Sequence, residues 1–173
     1  DGVIVNFASS GADPRAIHRI LGEVAANLEP WQPVGAVLPA GWDSATPTPD
    51  PTRLRLSAFA ALGAGARFLG WYCLHTTGWD LQGTTLWPEL RRINEDLGKL
   101  TDLVAGETCA ADVHFDAEGL LTAAWHRKDT RVVLLVNPDS TEHPAKVIVK
   151  GAVTGVKVVL GEVKPSLASP SVD

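Results

Sequence analysis

The chain has no methionine, one tyrosine and only two cysteines in 173 residues. Cys73 and Cys109 lie far apart and neither belongs to a C-x-x-C pair, so a cysteine-built zinc site or a disulfide scaffold is not expected. Spacing alone leaves one bridge between them open. There is no H-x-x-x-H or H-E-x-x-H motif and no Cys/His cluster, so no metal and no cofactor is expected. No apolar run approaches the ~18 residues of a membrane span, and no charged-then-apolar leader is present. Basic blocks are also missing. Fifteen Lys and Arg stand against twenty Asp and Glu, a net charge of −5, which argues against a nucleic-acid groove or an anionic membrane surface. A chain that opens Asp1-Gly2-Val3 without methionine reads as a processed chain or a piece of one, and its composition assigns no compartment.

What is present is globular: 45% hydrophobic and 20% charged residues. Residues 2–8 form a β-branched apolar run, suited to a strand covered on both faces. Asp13-Pro14 then opens a helix, with Asp at the N-cap and Pro in the first turn. Ile17, Ile20, Leu21, Val24 and Leu28 follow as one stripe, and Pro30 ends it. Val34 to Leu38 predicts a second strand, followed by a long Gly/Pro/Thr-rich loop from Pro39 to Pro51 that contains Trp42 and Asp43. Residues 52–65 predict a helix of mainly small side chains, and Phe68 to Leu74 a third strand. A loop over 75–87 leads to a helix opening at Pro88, with Leu90, Ile93, Leu97, Leu100 and Val104 at helical spacing. Leu97, in the middle of that stripe, is expected to be fully buried.

Near Gly106 the pattern changes to short runs separated by turns. Asp112–Phe115, Leu120–His126, Arg131–Asn137, Lys146–Val149 and Val156–Leu160 predict strands, with turn chemistry at Asp116-Ala117-Glu118-Gly119 and Asn137-Pro138-Asp139-Ser140. The fold class is therefore α/β followed by all-β. Residues 1–105 carry three β/α units of a parallel sheet, 106–164 a small antiparallel β-sandwich, and 165–173 a Pro/Ser-rich disordered tail.

Two stretches carry a family resemblance. Arg55 to Tyr72 contains Ala60-Ala61-Leu62-Gly63-Ala64-Gly65-Ala66 and ends in Trp71-Tyr72. Leu86-Trp87-Pro88-Glu89-Leu90 continues to Ile93-Asn94-Glu95-Asp96-Leu97. Together they resemble the end of the catalytic barrel of β-galactosidase-like glycoside hydrolases, over roughly a third of the chain. Ala124-Trp125-His126 and Val133 to Asn137 resemble strands of the small domain that follows such barrels, and Trp125, alternating with Ala124 and His126 on a central run, is expected to face inward in that β-domain as a structural residue. The resemblance implies the last three β/α units of a (β/α)8 barrel, left incomplete, then a β-sandwich. It also implies a parent enzyme that hydrolyses O-glycosidic bonds, with carbohydrate as the partner. The family's catalytic glutamates follow its fourth and seventh strands. The seventh would be Val34–Leu38, and it runs into Pro39-Ala40-Gly41-Trp42-Asp43 without a Glu, so no catalytic residue carries over. Taken alone, the chain is expected to be inactive and to associate through open sheet edges.

Glycoside hydrolysis ordinarily uses two carboxyl groups about 5–5.5 Å or 6.5–9.5 Å apart. The candidates near strand ends are Asp43 and Asp80, each of which also reads plainly as a turn or cap residue. Glu89 is explained by its place in the first turn of a helix. Trp42, Trp71, His75 and Trp79 fall at or after strand ends, where flat rings stack on sugars, although core packing is the ordinary use of each indole. Alternation sends Trp71 and Tyr72 to opposite faces. Ser9-Ser10-Gly11 before a helix reads as an anion cradle only weakly. Gly63 to Gly70 lacks the nucleotide-loop spacing and precedes a strand. A non-catalytic carbohydrate-binding or structural module, or a barrel relative without catalysis, is the alternative to the enzyme.

Overall fold

A computed structural model describes residues 1–8, 13–41, 49–105, 107–108, 111–161 and 165–166. Trp42, Asp43, Cys109, the Ser9–Gly11 loop and most of the tail lie outside the described residues.

Three parallel strands, β1 (Val3–Asn6), β2 (Val34–Pro39) and β3 (Phe68–Tyr72), form a sheet in that order. Helix α1 (Pro14–Ala26) connects the first two and α2 (Pro51–Gly63) the second two. Both helices open as Asp-Pro. Asp13 accepts a hydrogen bond from the Arg15 amide (3.1 Å) and Asp50 from the Arg53 amide (2.8 Å), so each satisfies a backbone donor that the helix start leaves without a partner. The central strand is the most buried. Val34, Ala36 and Leu38 point into the helix layer and meet Ile17 and Leu21 of α1 and Leu54, Ala58 and Ala61 of α2. The small residues of α2 let α1 and the sheet approach closely, and seven of its thirteen residues are buried. A helix apolar on most sides belongs inside, and α2 packs on α1, β2 and the elements described next.

After β3 the expected loop contains a small hairpin, β4 (His75–Thr76) and β5 (Trp79–Asp80), and one 3-10 turn at Leu81–Gly83. Helix α3 (Leu86–Val104) begins two residues before Pro88, which sits in its first turn, where a missing amide costs nothing. Arg55 of α2 bonds both Glu89 (3.4 Å) and Asp96 of α3, Lys99 bonds Asp96 (2.7 Å), and the Arg55 guanidinium lies 5.1 Å from the centre of the Phe59 ring.

The antiparallel part comprises β6 (Glu107–Thr108), β7 (Val113–Asp116), β8 (Leu121–Arg127), β9 (Thr130–Val136) and β10 (Lys146–Val149). One sheet runs β6-β8-β9 and the other pairs β10 with β7. The β8–β9 ribbon has two apolar faces separated by strict alternation. Leu121, Ala123, Trp125, Val132, Leu134 and Val136 pack against Phe59, Leu62 and Leu100 of the helices. Ala124 and Val133 face Val113, Phe115, Val147 and Val149 of the second sheet.

Three expectations are corrected. Residues 152–159 form no strand; Val153, Val156, Val158 and Val159 are exposed, and only Leu160 of the expected run reaches the core. Leu97 is partly buried, because it lies where the helix–sheet core meets the helix–ribbon core and packs against both. Trp125 is 3% exposed, as an inward structural residue should be, but it is covered by the helices and not by the second β-sheet.

Candidate functional site

In a parallel α/β sheet, ligands bind beyond the carboxyl ends of the strands. Parity decides which side chains face the side without helices. Leu38 pairs with Trp71, and both belong to the helix-side core. The opposite face is therefore built from three rows: Ile4, Gly35 and Phe68; Asn6, Val37 and Gly70; and Pro39 beside Tyr72. Ile4 is 61% exposed, Phe68 53% and Tyr72 38%.

The glycines shape this face. A Cβ at Gly35 would lie 3.1 Å from Phe68 Cβ and Cδ1, and one at Gly70 would lie 3.5 Å from Phe68 Cε1. The Phe68 ring thus lies along the sheet over both. No side chain stands at Gly70, between Phe68 and Tyr72, so the floor is shallow, with Tyr72 at its carboxyl end. Asn6 accepts from the Ala8 amide (2.9 Å), which turns the chain at the end of β1. The peptide bond between Tyr72 and Cys73 is cis.

The sequence-based candidates fall differently from one another. Trp71 packs in the helix-side core, so Tyr72 holds the position on the open face. Trp79 packs against the same core, and its indole nitrogen is buried without a hydrogen-bond partner among the described residues. His75 is exposed and sits across the hairpin from Asp80. Asp80 accepts from the Gln82 amide (3.0 Å) and caps the 3-10 turn. Asp13, Asp50 and Asp80, which follow β1, β2 and β3 in turn, are thus all engaged as caps. Glu89 pairs with Arg55 and Arg92. Of the pair Trp71 and Tyr72, which alternation sends to opposite faces, it is Tyr72 that takes the open one; Asn6 is the residue a list of aromatic and acidic candidates passes over.

A second constellation lies on the loop after β9. Asp139 Oδ2 accepts from Arg15 Nη2 of α1 (2.6 Å) and lies 3.2 Å from His143 Nε2, which is 3.1 Å from Thr141 Oγ1. The residue types are those of a hydroxyl–imidazole–carboxylate relay. Both contacts, however, converge on one ring nitrogen, and such a relay needs the two nitrogens on opposite duties. The group is a structural tie between α1 and the β9–β10 loop. Among the described residues, no three His, Cys, Asp or Glu side chains are grouped to hold a metal ion, and no helix is long and apolar enough to cross a membrane.

Comparison with protein-family models, with curated proteins and with solved structures gives no match.

Proposed function

We propose that the chain is the C-terminal part of a (β/α)8-barrel glycoside hydrolase, whose complete form cleaves O-glycosidic bonds with two carboxylates. The observation that carries this reading is the face of the β1–β3 sheet that none of the described helices covers. Parallel strands are ordinarily covered on both faces, yet this face presents Ile4, Phe68 and Tyr72 to solvent. Side chains of further strands fill that side when a barrel closes. Tyr72 at its carboxyl end then becomes the aromatic floor against which a sugar stacks, and His75 and Asp80 border it from the following hairpin. Each of the aspartates that follow the three strands among the described residues accepts a backbone amide as a cap, so none of them is set apart for catalysis. That commitment also favours the second reading, a non-catalytic carbohydrate-binding module using the same face.

A panel of aryl glycosides tests the first reading. This chain should show no turnover, since proton donation and nucleophilic or base action need separately placed carboxylates. Turnover well above background that disappears in Asp43→Asn would overturn it. Affinity electrophoresis in soluble polysaccharides tests the face itself. Tyr72→Ala should abolish any retardation, and Trp71→Phe should leave it unchanged.

A further inference from the structure

His18 lies mid-way along α1 and reaches the end of α2. A methyl at Gly63 would lie 3.6 and 3.7 Å from His18 Cδ2 and Nε2, and 3.4 Å from Leu134 Cδ2 of β9. The imidazole and the β8–β9 ribbon therefore converge on the same glycine. Nε2 is buried without a hydrogen-bond partner among the described residues. One turn earlier on the same helix, Arg15 holds Asp139 of the β9–β10 loop.

The charges around this junction are already paired. On α1 itself, Arg15 is held by Asp139 and Arg19 by Glu23 (2.9 Å). From α2 and the turn that follows, residues 57–66 offer no ionisable side chain, and from β9 residues 132–136 offer none. Asp139, the carboxylate of the adjoining loop, is held by Arg15 and by His143. A proton on His18 Nε2 would find no hydrogen-bond acceptor among the described residues, and the carboxylates of the junction are already held by arginines.

We propose that His18 is a proton-sensitive latch: neutral, it lets the β8–β9 ribbon seat on α2 and α3, and its protonation releases the ribbon from them. Burial lowers the His18 pKa below the ordinary histidine value of 6.5. The sign follows from linkage. The released form takes up a proton near pH 6.5 and the seated form only at lower pH. The seated form is therefore fully favoured above that value, and loses ground as pH falls through it until the lowered pKa is reached. One proton changes the seating equilibrium by at most about tenfold per pH unit in that window.

The test uses the whole chain. NMR titration of the imidazole carbons should show His18 titrating below the same residue in the urea-unfolded chain. Amide exchange, corrected for its intrinsic pH dependence, should accelerate in β8 and β9 between pH 7.5 and 5 while β2 stays protected. In His18→Gln, which cannot gain charge, the difference between those two pH values should shrink by the His18 share, up to about tenfold per unit; the other four histidines are common to both chains and cancel. The latch is overturned if His18 titrates at its unfolded value, if His18→Gln keeps the full wild-type response, or if β2 and β8 lose protection together. Should His18→Gln not fold, the titration and the exchange pattern of the wild-type chain decide alone.

Discussion

Two glycines show how differently one residue type is used. Gly119, in the turn between β7 and β8, has φ of +83°, and a Cβ there would lie 2.8 Å from His143 Cε1. The backbone and the neighbouring ring both demand glycine. Gly63 closes α2 with an ordinary φ, and its Cβ would stand at normal contact distance from Leu134 and His18. Gly119→Ala should cost about 1–2 kcal/mol for the left-handed backbone alone, and more as His143 is displaced from its bonds to Asp139 and Thr141. Gly63→Ala should be neutral or stabilise by about 0.4–1 kcal/mol, through the smaller entropy of the unfolded chain. Urea unfolding of the two variants separates them. Equal losses would mean that the junction over Gly63 is tighter than its distances indicate.

Among the elements, α2 and α3 are joined by apolar contact and by charge. Lys99 and Arg55 hold the Asp96 carboxyl below its ordinary value of 3.8, Lys99 contributing first. A carboxylate with a lowered folded-state pKa stabilises the fold above its unfolded value, and that contribution is lost as pH falls through the folded value. Acid unfolding of wild type should therefore retain a component below pH 3.8 that Asp96→Asn lacks, seen as a flatter stability profile in the variant between about pH 4 and 2. Removing the shared cation is more severe than removing one anion. Arg55→Met leaves both Glu89 and Asp96 without their α2 partner, and should cost about 1–2 kcal/mol at neutral pH, between exposed and fully buried pairs. Thermal melts of both variants at pH 7 give the comparison. A larger loss in Asp96→Asn would show that the Lys99 pair, within α3, matters more than the bridge between helices.

For the whole molecule, the change from parallel to antiparallel strands after α3 is not a boundary between separate cores. Trp125 and Val136 of the ribbon share one apolar cluster with Phe59, Leu62 and Leu100 of the helices. Trp125→Ala should thus cost about 3–5 kcal/mol and unseat the ribbon, while any carbohydrate affinity of the open sheet face persists at temperatures where the chain stays folded. Differential scanning fluorimetry beside affinity electrophoresis reads both quantities on one variant. Unchanged melting with lost retardation would reverse the roles assigned to the two parts: the β-ribbon would bind and the parallel sheet would support it.

Much of this architecture was legible along the chain. Asp13-Pro14 marks a helix start because a carboxylate can reach the free amides of the first turn, a local matter of two or three residues. The stripes of α1 and α3 and the alternation in β8 and β9 likewise depend on periodicities that hold wherever the element sits. Other features were settled at long range. Val156–Leu160 has strand-like composition, but a strand needs a hydrogen-bonding neighbour, and composition names none. Trp71 and Trp79 satisfy the same aromatic criterion as Tyr72. Only the pairing of Leu38 with Trp71 sends the indole into the helix layer and Tyr72 to the open face. Asp80 became a cap when the chain turned into Leu81–Gly83. Leu97 lost full burial because two cores meet at it. The sequence by itself determined the elements, since capping, periodicity and turn chemistry act within a few residues. Only the tertiary structure decided which faces are covered and which side chains remain open to a ligand, because those depend on partners distant in sequence.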